Sequence, residues 1–330
     1  MTRQRSDAVR PEGGRATLSL DLDNEWSYLK THGDSGWDTF PSYLDVAVPR
    51  FLSLFEELQL RVTVFVVGQD AAIDRNTKSL QAIAQAGHEI GNHSFAHEPW
   101  LHLYTDQEIE REITKAEEAI MKATGKRPVG FRGPGYALSG QVLHVLARRG
   151  YQFDASTLPS FLGPVARAYY FMTSGLDRKE RQKRKILFGS WKDGLRPIDP
   201  YLWQVNGSTL LEIPVTTIPG LRVPFHVSYL IYLSRFSIAL AKTYLRTTLR
   251  LCRLTGTEPS VLLHPLDLLG KDDFSNLGFF PGMDLVASKK RVLVEGFLRE
   301  IKKHFTIMPL GEYAGQVRDK RRLPLKHFSA

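Results

Sequence analysis

A single cysteine, Cys252, stands among 330 residues, which excludes an intramolecular disulfide and any cysteine-rich metal cluster. Long hydrophobic runs are also missing. The most apolar stretch, beginning near Val227, is broken by Arg235 and makes no convincing transmembrane span. The basic N-terminus, MTRQRSDAVRPEGGRATL, has no apolar run behind its charges and does not read as a secretory signal, so a cytosolic location is the expectation. No RNA-binding or helix-turn-helix signature is present, and no nucleic-acid partner is expected. Acidic residues are the scarcer charge, 35 against 44 Lys+Arg, and the net +9 favours anionic partners in general. What the chain does have, 42% hydrophobic and 24% charged residues, suffices to bury the core of one large domain or two small ones.

The first half alternates strand and helix signals. Ala16, Leu18, Leu20 and Leu22 give a strand with one apolar face. Pro49 is read as opening a helix with Phe51, Leu52, Phe55 and Leu58 at helical spacing, and the β-branched run after Arg61 is the next strand. Thr105-x-x-Glu108 is a capping box ahead of the stripe Ile109, Ile113, Ala116 and Ile120, which Gly125 closes. Further βα units follow to Asp154. Repeated βα units imply a parallel sheet or barrel with its functional groups at the carboxyl ends of the strands.

Four stretches at those ends carry candidate chemistry. In LSLDLDNEW, Asp21 and Asp23 share a strand face roughly 7 Å apart and need a cation or an arginine if they are not simply a solvated edge or a helix cap. Glu25 has no evident role. In GNHSFAHEPW, His93 and His97 are spaced so that a helical turn would put both imidazoles on one face, within reach of one ion, although such pairs also arise by chance. Two histidines and a carboxylate make an open site for which zinc is the default and ferrous iron or cobalt are alternatives. Arg132 precedes a Gly/Pro turn, and His264 ends the apolar run Val261-Leu262-Leu263; either alone also reads as structural.

Taken in order, DxD, HSxxH, FRxPG, YxFDAS and LLHP resemble the polysaccharide deacetylase superfamily, also known as the NodB homology domain or carbohydrate esterase family 4. The resemblance covers roughly residues 16 to 160 and 258 to 310. It implies a distorted (β/α)7 barrel of NodB type with helical and basic insertions. It also implies Asp21 as catalytic base, Asp23, His93 and His97 as metal ligands, Arg132 as holder of the base, and His264 as general acid with Asp154 in support. The Gly135-Tyr136 turn would supply an oxyanion amide. The spacer Leu22, where the common signature has adjacent aspartates, matches the branch that contains cyclic-imide and allantoin hydrolases and some cell-surface sugar deacetylases.

The expected organisation is a disordered tail over 1–15, one catalytic domain over 16–315, and a basic tail over 316–330. Insertions are expected at about 160–205 and 223–256. In the second, Arg235, Lys242, Arg246, Arg250 and Arg253 fall in a narrow arc at about 100° per residue, opposite Leu233, Leu240, Tyr244 and Leu251. Such a basic amphipathic helix either lies in an anionic membrane interface or packs inward as a barrel helix. The combined expectation is a metal-dependent hydrolase at the cytosolic membrane face that removes an N-acetyl or N-formyl group from an amino sugar in a lipid-linked or envelope glycan precursor. The alternatives are a soluble cyclic-imide or ureide hydrolase and an inactive membrane- or glycan-binding module.

Overall fold

The structure, a computed structural model, describes residues 14–163, 191–320 and 322–328. The first strand, β1 (Gly14–Leu22), packs Ala16, Leu18, Leu20 and Leu22 into the largest apolar cluster, as its alternation predicts. The polar residues between them, Ser19 and Asp21, point the other way and meet Arg132. Helices α1 (Glu25–His32) and α2 (Leu44–Glu57) follow. The second starts at Leu44, ahead of Pro49, which lies inside it. Burying Leu44, Ala47 and Val48 on the same stripe as Phe51 and Phe55 outweighs the one backbone hydrogen bond that a proline forgoes early in a helix.

Next come β2 (Thr63–Val66), α3 (Gly68–Ala71), α4 (Thr77–Gln85), β3 (Glu89–Asn92) and α5 (Asp106–Thr124). The capping box of Thr105 and Glu108 forms in full, and Gly125 ends α5 in the left-handed conformation. Then follow β4 (Gly130–Phe131), α6 (Gly140–Arg148), β5 (Phe153–Asp154), β6 (Tyr201–Val205) and β7 (Ser208–Glu212). Two helices, α7 (Val227–Ser234) and α8 (Ile238–Thr255), lead to β8 (Ser260–Leu263). The chain closes with α9 (Ala287–Lys302), β9 (Phe305–Met308), α10 (Leu310–Lys320) and β10 (Leu325–His327).

The sheet runs β10-β6-β7-β5-β4-β3-β2-β1-β8, and β9 pairs with the start of β1. From β7 to β8 every neighbouring pair is parallel. This is the α/β architecture expected, with seven parallel strands in sequence around the sheet. Among the described residues no strand ladder joins β7 to β8. Thr216 spans the gap instead: its N–H donates to the Ser260 carbonyl at 3.0 Å and its hydroxyl accepts the Ser260 N–H at 2.7 Å.

Three expected boundaries change. Of the tail placed at 1–15, residues 1–13 lie outside the described residues, as do 164–190 of the first insertion, while Gly14 and Arg15 already belong to β1; 201–205 are strand β6 because Tyr201, Trp203 and Val205 alternate into the core. The stretch from 316 is no loose tail as far as it is described: Val317 is buried within α10, and β10 pairs with β6 while Phe328 packs on Trp203. The single amphipathic helix is two, because Ser237 caps a new helix at Ile238 through the Leu240 N–H. Its buried face is Ala241, Leu245, Thr248, Leu249 and Cys252, turned against α7 and α9, which leaves Leu240 half-exposed.

Candidate metal and hydrolytic site

Asp21 is the last residue but one of β1 and Asp23 lies just beyond the strand, His93 follows β3, Arg132 follows β4 and His264 follows β8. All therefore stand at the carboxyl ends of parallel strands, where the connecting loops can bring them together. Asn24 organises the first of these loops: its Oδ1 caps α1 through the Glu25 N–H and also accepts the Tyr43 N–H, while the Tyr43 hydroxyl donates to the Asp23 carbonyl at 2.6 Å. Asp23 is thus held through its backbone, independently of any ligand.

His93 and His97 are not on a helical turn. The chain bends sharply, with Ser94 and His97 at positive φ of 59° and 50°. Side chains take the amides that a helix would have used: Asn92 Oδ1 accepts the Ser94 N–H, and one Glu112 oxygen accepts those of Phe95 and Ala96. The start of α3 clamps the other side of the bend, with the Gly68 and Gln69 N–H groups donating to the Ser94 and Phe95 carbonyls. Gly68 permits this approach, because a Cβ there would lie 2.6 Å from the Ala116 backbone. Gly68→Ala is accordingly expected to cost about 1–3 kcal/mol in a urea titration, since the clash is with backbone that cannot swing away.

The bend brings the imidazoles together on one carboxylate oxygen. Asp23 Oδ1 is 3.2 Å from His93 Nε2 and 3.0 Å from His97 Nε2, and all three side chains are buried. His93 Nδ1 is 2.7 Å from the Arg132 carbonyl, which can only accept, so Nδ1 carries a proton. Nε2 of His93 then faces the carboxylate oxygen, as an N–H donor when the ring is an imidazolium and as a lone pair free for a cation when it is neutral. Burial would raise the Asp23 carboxyl, but the charge of His97 and the hydrogen bonds from both imidazoles outweigh it and hold it well below the usual carboxylate range. An oxygen and two imidazole nitrogens form a donor set that could hold a divalent ion with open positions.

Arg132 is fully buried beside this group. Its Nη1 donates to Asp21 Oδ1 at 2.7 Å and to Ser19 Oγ at 2.8 Å, its Nε donates to the Ala155 carbonyl at 2.9 Å, and its guanidinium lies over the Phe65 ring. Burial, with Asp21 nearby, pushes the Tyr136 phenol up, which places that ring at the same site. The Tyr136 amide closes its own turn on the Gly133 carbonyl, so of the two amides in that turn this one is already engaged.

Two expected residues change position in this scheme. Asp154 does not support His264: it accepts hydrogen bonds from Ser156 and pairs with Glu212, whose carboxyl is pushed well up by burial and then by the charge of Asp154. Two fully buried carboxyls in contact share a proton, which is a structural arrangement. His264 instead faces Ser228 and Asp267. Glu25, without a role in the sequence, accepts the Asn276 amide at 2.6 Å and ties the loop after β8 to α1, as Tyr28 and Phe280 do through their rings. Sequence reasoning missed Ser228, since nothing local marks a serine 36 positions before His264; Asp267, three positions after it, has the spacing of a helix cap and was detectable.

Comparison with known sequences finds likeness over part of the chain. Residues 32–153 match the profile of the family described as Polysaccharide deacetylase. Over that stretch, little more than a third of its length, the chain is similar to the polysaccharide deacetylase family. The matched stretch holds His93, His97 and Arg132, while Asp21, Asp23 and His264 lie outside it. The chain is 32% identical over 120 residues to a peptidoglycan deacetylase of Helicobacter pylori, covering 36% of this chain and 40% of that one. It is 30% identical over 139 residues to a peptidoglycan-N-acetylglucosamine deacetylase of Bacillus cereus, covering 41% and 59%. The matches thus span about half the length of these relatives. The fold is shared with a solved structure from Mycobacterium smegmatis named for the same family, at TM-score 0.62 and 19% identity over 98% of this chain and 97% of that one.

Proposed function

We propose that this chain is a metal-dependent hydrolase that removes an N-acetyl group from an amino sugar in a polysaccharide. The observation that carries the reading is the convergence of His93 and His97 Nε2 on Asp23 Oδ1 beside an Asp21 carboxylate fixed by Arg132. Asp23, His93 and His97 would hold a divalent ion, zinc by default, which when bound polarises the amide carbonyl and acidifies water. Asp21 would take the proton of the attacking water, with Arg132 fixing the carboxylate toward it. The Gly135 amide would donate to the developing oxyanion. His264 would pass a proton to the departing amine. The names of the relatives support peptidoglycan or a related amino-sugar polymer as substrate. Acetate release from N-acetylglucosamine oligomers and from peptidoglycan tests the reading: release that a chelator abolishes and zinc restores is expected. Opening of cyclic imides without acetate release would favour the ureide-hydrolase alternative, and no turnover with either substrate would favour a binding module.

A finer reading, a lipid-linked substrate at the cytosolic membrane face, is supported by the corner between α7 and α8. Tyr232, Phe236, Ile238 and Leu240 are 38–69% exposed there. Of the five basic residues, all exposed, Arg235 and Lys242 stand nearest the corner and Arg246, Arg250 and Arg253 lie farther along α8, although Arg235 pairs with Asp284 and Arg246 with Glu300. Exposed aromatic and aliphatic side chains leading into a basic helix suit an anionic lipid interface. Cosedimentation with vesicles containing phosphatidylglycerol, lost in Phe236→Asp and absent with neutral vesicles, is the expected result; equal recovery with and without vesicles would remove the membrane from the scheme.

A further inference from the structure

We propose that Ser228 and Asp267 form a relay that positions His264 as proton donor to the leaving amine, an inference that rests on the deacetylase reading above. Ser228 is the second residue of α7, so the helix between β7 and β8 delivers a hydroxyl to a histidine at the end of β8. Its Oγ is 2.8 Å from Asp267 Oδ1 and 3.2 Å from His264 Nδ1. The other Asp267 oxygen accepts the His264 backbone N–H at 2.9 Å, which ties the carboxylate to the residue it serves. Lys290, 1% exposed, donates to the neighbouring Leu266 carbonyl at 2.8 Å and stiffens the same turn.

The proton count gives the relay its direction. A serine hydroxyl has one hydrogen, and the Asp267 carboxylate can only accept, so Ser228 donates to Asp267. The lone pairs of Oγ then face His264 Nδ1, and in the imidazolium form, where both ring nitrogens carry hydrogen, Nδ1–H donates to them. With Nδ1–H so committed, the second proton of the imidazolium sits on Nε2, on the side away from the relay. In the reaction step the Nε2–H bond breaks as the nitrogen of the amide takes that proton, the C–N bond breaks with its electron pair going to nitrogen, and neutral His264 keeps Nδ1–H on Ser228. In this scheme Ser228 and Asp267 act through the histidine alone, the task that the resemblance assigns to Asp154.

Leaving-group dependence separates this role from a merely structural one. Amide hydrolysis needs a protonated amine, whereas 4-nitrophenyl acetate expels a stable phenolate without a proton. Ser228→Ala and Asp267→Asn are expected to lower kcat on N-acetylglucosamine oligomers by about 10–100-fold with KM and bound zinc unchanged, because misdirected general acids forfeit part of their usual contribution. Both variants should keep 4-nitrophenyl acetate turnover within about threefold of the parent, and Ser228→Thr, which retains the hydroxyl, should recover most of the amide activity. Parallel losses on both substrates, or undiminished amide hydrolysis, would overturn the relay. A parent protein, zinc-loaded, that releases acetate from neither substrate would overturn the deacetylase reading and the relay with it.

Discussion

Asp23→Ala is expected to lose bound zinc and acetate release together. Asp23 Oδ1 is the single atom on which both imidazoles converge, at 3.0 and 3.2 Å, so its removal leaves two neutral nitrogens and no charge to offset a divalent ion. Changes in groups that only support metal ligands cost 10–100-fold in affinity, and loss of an anionic ligand itself is expected to exceed about 100-fold. The measurement is zinc content after dialysis, paired with thermal unfolding with and without added zinc. The parent should be stabilised by zinc through mass action, by about 2.7 kcal/mol at a hundredfold excess over Kd, and Asp23→Ala should show no such shift. A variant that kept both zinc and activity would exclude Asp23 as ligand. Because the Asp23 backbone is held independently by Tyr43 and the Asn24 cap, the variant is expected to fold.

The second large effect is on stability. Arg132→Met is expected to destabilise the fold by about 3–5 kcal/mol, since breaking a buried ion pair leaves Asp21 as an uncompensated charge. The guanidinium is 0% exposed and also satisfies Ser19 and the Ala155 carbonyl, so the loss reaches three strands at once. Chemical denaturation of Arg132→Met, Asp21→Asn and the double variant closes a cycle. The double variant should be more stable than the sum of the single losses predicts; strict additivity would show that the pair is not coupled. Arg132→Lys should not rescue, because a lysine ammonium cannot reproduce three directed N–H donations in the fixed geometry of a planar guanidinium.

Both effects trace to residues that the amino-acid sequence itself marks out. Alternation along β1 separates Leu18, Leu20 and Leu22 from Ser19 and Asp21 by the geometry of a strand. The caps of α5 are local chemistry, and they form in full. The candidate metal group was legible as residue types, but the spacing of His93 and His97 pointed to a helical turn. The bend that replaces it depends on Glu112 and Gly68, which lie outside the motif.

Sequence by itself determined the α/β class, the strand ends where chemistry gathers, and the identities of Asp21, Asp23, His93, His97, Arg132 and His264, because periodicity, capping and residue chemistry act over a few positions. Tertiary structure decided which partner each of them meets. His264 is joined to Ser228 rather than Asp154, Glu25 becomes an anchor for the loop holding Asn276, and the basic helix turns a different face inward. Those outcomes depend on contacts between residues tens to hundreds of positions apart, set by how helices pack across a sheet, and no local pattern encodes such distances.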